Sequence, residues 1–238
     1  MKRKYLCCIW AITICCIVFS GYFKVVSPIL FDFKEKSFSK TIILKDKSIK
    51  KIDAKLDAGD VTVKYGNELK VHYCYPKKHT PKIKVEGDSL VIRETSNIKI
   101  AKLNKAKYNI EVTIPKETKL DEIDMKVNLG DVEINDLLVD KINVDADMGD
   151  INLENVISST CKVDVSLGDA TIKNGKHNSI TIDTNMGDAE VKTEFDKIKV
   201  DCNMGDIDIK TSGKLTKKNA DLNCDMGDIT VNGKEWDD

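Results

Sequence analysis

The chain has 238 residues, of which 32% are charged, 6% aromatic and only 4 are Pro, which excludes long proline-rich disorder and a large aromatic core. A formal net charge of −1 conceals a division: residues 1–120 carry 25 Lys+Arg against 12 Asp+Glu, and residues 121–238 carry 13 against 27. Any basic face shares the molecule with an acidic one, so a uniformly basic nucleic-acid binder is excluded and no nucleic-acid partner is expected.

The first predicted element is a membrane span. Tyr5 to Phe23 are 19 consecutive residues without a charge, enough at about 1.5 Å per residue to cross a hydrocarbon core of about 30 Å. Lys2, Arg3 and Lys4 precede it and favour a cytoplasmic N-terminus, against a weaker pull from Lys24, Lys34, Lys36 and Lys40. A cleaved signal peptide ending near Val18-Phe19-Ser20 is the competing reading; the missing polar region before that site favours the uncleaved anchor. The expected order is a cytoplasmic stub at 1–4, a transmembrane helix at 5–23, a linker at 24–40 and an extracytoplasmic domain at 41–238.

Within that domain, Ala58-Gly59-Asp60 is an early copy of a repeat whose signature is lost through 64–122. Gly87-Asp88 is out of phase with it and reads as an ordinary turn. In Leu69-Lys70-Val71-His72-Tyr73-Cys74-Tyr75, the apolar face is Leu69, Val71, Tyr73 and Tyr75. His72 and Cys74 share the opposite face, where with His79 they are a thin candidate for a metal set.

From residue 121 the repeat is regular. LGD or MGD recurs with glycines at 130, 149, 168, 187, 205 and 227, spaced by 19, 19, 19, 18 and 22. Aligned on Gly, apolar residues stand seven, five, three and one before it and two and four after it. The column one before reads Leu129, Met148, Leu167, Met186, Met204 and Met226, and is expected to face inward. This period-two alternation gives two short half-buried strands per copy and leaves no room for long helices beyond residue 40. Gly-Asp can join the strands as a hairpin turn or as a solenoid corner. The like-on-like columns and near-constant period favour an all-β, single-domain β-solenoid of about 19 residues per coil, with Gly59, Gly130, Gly149, Gly168, Gly187, Gly205 and Gly227 as structural turn residues.

The run Ile110-Glu111-Val112-Thr113-Ile114-Pro115-Lys116, continuing through Leu120 to Ile123 and followed by Gly130-Asp131-Val132 and the later Gly-Asp copies, resembles the bacterial "putative adhesin" family. The resemblance covers roughly residues 41–235. It implies a β-solenoid at the cell envelope, often tethered by an N-terminal helix and in some members encoded near envelope-stress operons. Relatives often carry Ser before Gly-Asp where this chain has Leu or Met.

The candidate chemistry is sparse. Asp131, Asp150, Asp169, Asp188, Asp206 and Asp228 form a column of carboxylates about 4.8 Å apart, which must be offset by something. Turn chemistry with local backbone donors, helped by Lys173, Lys192 and Lys210, is the favoured reading; Ca²⁺ held between coils is the alternative. No other cofactor is expected. A second polar column, two before Gly, reads Asn128, Asp147, Ser166, Asn185, Asn203 and Asp225. Cys202 and Cys224 share a column and read as core thiols rather than a disulfide. Arg93 is the one arginine outside the N-terminal stub, and no phosphate loop, nucleophile elbow or HExxH is present. The expectation is a non-enzymatic, membrane-anchored scaffold, adhesin-like or binding module, facing an envelope protein or wall polymer; Lys102, Lys105 and Lys107 read first as a solvated lysine face, with contact to anionic lipid or anionic wall polymer as the alternative. A glycan-active β-helix enzyme and an envelope-stress accessory are the alternatives.

Overall fold

The computed structural model describes residues 37–45, 47–94 and 107–236, which fall in one compact unit, Lys36–Asp238. The span read as a membrane anchor, most of the linker, and Lys102 and Lys105 lie outside the described residues. Among the described residues no helix is long and apolar enough to cross a membrane.

The repeats build a β-solenoid of six consecutive coils. Each coil has a long strand, a Gly-Asp corner and a short strand. The first three long strands are β8 (Leu120–Leu129), β10 (Val139–Met148) and β12 (Ile157–Leu167), followed by short strands β9 (Val132–Asn135) and β11 (Ile151–Glu154). In the next coils short and long strands run together as β13 (Ala170–Met186) and β14 (Ala189–Met204). The last coils use β15 (Ile207–Lys210), β16 (Ala220–Met226) and β17 (Ile229–Val231). Neighbouring coils pair in parallel with equivalent positions aligned, as in Val144↔Val163, Val163↔Ile182 and Ile182↔Val200.

The early Gly59 copy is a true coil. β2 (Lys51–Leu56) pairs in parallel with β8, and β3 (Asp60–Gly66) pairs with β9, so residues 51–66 stack on residues 120–135. The residues between them make an excursion that closes the N-terminal end. β6 (Ser89–Arg93) and β7 (Asn109–Pro115) stack in parallel on the outer side of β2 and β3. Antiparallel strands then cover these: β5 (Lys82–Glu86) on β6, β4 (Lys70–Pro76) on β7, and β1 (Ser37–Ile43) on β4. Phe38, Tyr73, Tyr75 and Tyr108 form an edge-to-face chain with centroid separations of 6.0, 6.4 and 5.2 Å, so the few aromatics serve as a lid. Gly87 at φ 60 closes the β5–β6 hairpin, the ordinary turn expected there.

The core consists of the columns seven, five and three before Gly and two and four after it; Ile123, Val144, Val163, Ile182, Val200, Ile151 and Ile209 have no solvent exposure. The column one before Gly corrects the expectation. Met148, Leu167, Met186, Met204 and Met226 are 36–62% exposed and stand in line on the outer surface. Strict alternation from the inward position at −3 puts −1 and +1 inward and +2 outward. Since +2 is inward, the phase must break at the corner, and the structure breaks it by turning both Met and Asp out.

Candidate functional site

The Gly-Asp corner is the most regular surface feature. Every corner glycine has φ between 129° and 149°, a region that side chains disfavour. Stacking adds a second demand: a Cβ on Gly168 would lie 2.2 Å from the Gly149 carbonyl oxygen, and one on Gly227 only 1.9 Å from that of Gly205. The Gly column therefore follows from both conformation and close coil approach. All seven predicted turn glycines stand at this position.

The neighbouring aspartates form a hydrogen-bonded ladder. Asp150 N–H donates to Asp131 Oδ1 at 2.9 Å, Asp169 N–H to Asp150 at 2.9 Å and Asp188 N–H to Asp169 at 2.8 Å; Asp206 and Asp228 continue it, and Asp60 begins it. This corrects the expected local turn chemistry, because the donors come from the next coil rather than from within the turn. Lys173, Lys192 and Lys210 do not attend this column; Lys173 and Lys192 pair with Glu190, and Lys210 with Asp208. Among the described residues no group of three or more His, Cys, Asp or Glu side chains is placed to hold a metal ion.

The other candidates are placed as follows. His72 bonds Ser39 through Nε2 at 2.9 Å and Thr41 through Nδ1 at 2.8 Å, pinning β4 to β1. His79 packs against Tyr108. Arg93 spans to the Asp53 carboxylate and donates to its carbonyl at 2.8 Å. Cys202 and Cys224 are free thiols in register, their Sγ atoms directed to the carbonyls of Gly187 and Gly205 at 3.5 and 3.2 Å.

Three features were not anticipated. The first is a second corner built on left-handed Asp136, Asn155, Asn174 and Asn232, with φ 52–57°; Asn and Asp tolerate this conformation, and the first three, which stand six after Gly, could have revealed it. Where the repeat shortens to 18 residues, Asn174-Gly175 oppose the single residue Thr193, whose Oγ1 accepts the Gly175 N–H at 2.8 Å. A shallow groove of about 730 Å³ opens there, lined by Gly175, Lys192, Thr193, Lys210, Ser212 and Asn232 among others.

The second is His177, 1% exposed, bonded to Ser158 at 2.8 Å, with burial pulling its pKa down to about 4. This Ser–His pair lies inside the coil stack, where a substrate has no access, and Nε2 has no partner. The third is Glu94. Its Oε2 accepts the Asp57 and Ala58 N–H groups at 2.8 and 3.0 Å, where β6 no longer covers the corner. Burial, aided by the Asp57 charge and opposed by those two bonds, pushes its carboxyl up to about 7.

The Toastrack DUF4097 profile matches residues 38–236, nearly the whole of the described solenoid and its cap. The chain belongs to the Toastrack DUF4097 family. Among solved structures it is similar to a putative cell adhesion protein from Clostridium sporogenes, at 14% identity and TM-score 0.49 over 82% of this chain and 98% of that one. A putative adhesin from Bacteroides fragilis has 19% identity and TM-score 0.47 over 82% and 96%. A putative lipid binding protein from Parabacteroides distasonis has 14% identity and TM-score 0.36 over 82% and 97%. No curated protein matches the chain in sequence.

Proposed function

We infer that this Toastrack chain is a non-enzymatic binding module of the bacterial envelope. Its anchor is the uncharged span Tyr5 to Phe23, and its solenoid is held outside the membrane to engage an envelope protein or wall polymer. The observation that carries the reading is the exposed Leu/Met ladder. Met148, Leu167, Met186, Met204 and Met226 form an adaptable apolar strip on a rigid scaffold, bordered by the polar columns on either side. Against an enzyme stand the buried Ser158–His177 pair and the structural use of Arg93.

Crosslinking on intact cells, followed by detergent extraction and pull-down, tests it. The expected result is a full-length, membrane-extracted chain carrying a crosslinked envelope partner that is lost when Met186 and Met204 are both replaced by Lys. A chain released to the medium from near Gly21 would remove the anchor. Undiminished crosslinking in the double variant would remove the ladder from the binding role.

A further inference from the structure

The two ends of the solenoid differ. At the N-terminal end, antiparallel strands and the tyrosine lid cover the first coil. Asp60 N–H donates to the Tyr108 carbonyl at 3.0 Å, and Tyr75 Oη donates to the Ala58 carbonyl at 2.7 Å. At the other end, β16 pairs only with β14 among the described residues, while β18 (Lys234–Glu235) covers the outer edge of β17. The edge of β16 lacks the lysine or proline that usually guards a free strand; its sequence is Ala-Asp-Leu-Asn-Cys-Asp-Met. The core column three before Gly is less covered here: Cys224 is half-buried where Cys202 is 1% exposed.

The hydrogen-bond pattern specifies what would continue the stack. In each earlier coil the corner Gly N–H donates to the next coil's residue before Gly, as Gly205 does to Met226 at 3.0 Å, and the Asp Oδ1 accepts the next coil's Asp N–H. Among the described residues, Gly227 N–H and Asp228 Oδ1 are the last of each series. A residue seated over Gly227 in the same geometry must also be glycine. The Cβ positions of stacked corner glycines lie 1.9–2.5 Å from the preceding glycine's carbonyl oxygen, a clash that no side chain escapes.

We propose that β16 and the Gly227-Asp228 corner form a strand-acceptor site for an extended segment of a partner polypeptide, running parallel to β16 with alternating apolar residues and a glycine over Gly227. The partner's carbonyl before its glycine accepts from Gly227 N–H, and its N–H after the glycine donates to Asp228 Oδ1. Its apolar side chains extend the columns ending in Leu222 and Cys224. Because β18 covers β17, the bound segment leaves the solenoid after the corner. This is strand addition to a sheet edge, with main-chain bonds supplying affinity and the glycine supplying selectivity. It rests on the binding-module reading and gives that module a second, end-on site distinct from the Leu/Met ladder.

The test uses the detergent-solubilised full chain and a fluorescent peptide copying residues 178–192, which carries Met186-Gly187-Asp188, beside the same peptide with Gly187→Ala. The expected outcome is saturable binding, weakened at least about tenfold by the alanine, weakened also by Asp228→Ala in the chain, with slowed hydrogen exchange at the Gly227 amide. Equal binding of the two peptides, unchanged exchange at Gly227, or no saturation up to about 1 mM (a binding free energy no better than about −4 kcal/mol) would overturn the site. Loss of this site leaves the crosslink through Met186 and Met204 untouched, so the two readings fail separately.

Discussion

The Asp169 carboxylate accepts the backbone N–H of Asp188, one coil further on, at 2.8 Å. The acidic column is thus a series of charge-assisted bonds to main chain, and each carboxylate offsets the repulsion of its neighbours with a donor that would otherwise point at solvent.

Replacing Asp169 with Ala removes that acceptor and is expected to lower stability by about 1–2 kcal/mol, whereas Asp169→Asn, which keeps Oδ1, stays within about 0.5 kcal/mol of the parent. Denaturant melts of the pair check this. Equal losses would show that the ladder contributes charge rather than a directed bond.

Calcium titration of EDTA-treated protein, with a monovalent control at matched ionic strength, is expected to give no calcium-specific rise in Tm, since one oxygen of each carboxylate already faces an amide. A saturable rise of the form RT ln(1 + [L]/Kd), abolished by Asp169→Asn with Asp188→Asn, would instead make the column a cation site.

The corner phase is tested by charge insertion. Met186 is 45% exposed and Ile182 has no exposure, so Met186→Asp is expected to cost within about 0.5 kcal/mol and Ile182→Asp more than about 4 kcal/mol. Gly168→Ala, which meets both a φ of 138° and a carbonyl 2.2 Å away, should cost at least about 3 kcal/mol. A well-tolerated alanine would mean that the coils are not held at this spacing.

Half-buried Glu94 and buried His177 give opposite pH dependences. Glu94 titrates near 7 in the fold and at 4.5 in its ordinary state, so the native protein holds its proton more tightly. Its contribution to stability is complete below about 4.5 and is lost as pH rises through 7. His177 is lowered from 6.5 to about 4, so its contribution is present above 6.5 and lost as pH falls through 4. Urea melts between pH 4 and 8 should therefore show Glu94→Gln flattening the fall toward neutral pH, and His177→Leu flattening the fall toward acid. A variant that leaves its own limb unchanged would sink that assignment.

The repeat spacing and column chemistry were enough to give the all-β class, the solenoid, the seven turn glycines and most of the core, because like residues stack on like and glycine alone meets the corner's demands. The outward turn of Met148 and Met186 was also present as a parity: −1 and +2 are three positions apart, an odd step, so alternation cannot hold both inside. The αL corner is written in Asp136, Asn155 and Asn174, six after Gly, but in sequence such a polar column is indistinguishable from any solvated turn.

Only the tertiary structure joined residues 51–66 to 120–135, placed β6 and β7 beyond them, and drew Glu94 onto the amides of Asp57 and Ala58. The physical reason is that a solenoid's register is local, since each coil specifies its neighbour through columns that can be read along the chain. Its ends are non-local, and what covers an end is decided by which distant segment can satisfy exposed backbone and apolar columns together. That same logic leaves β16, with Gly227 and Asp228, as the end the described chain does not cover.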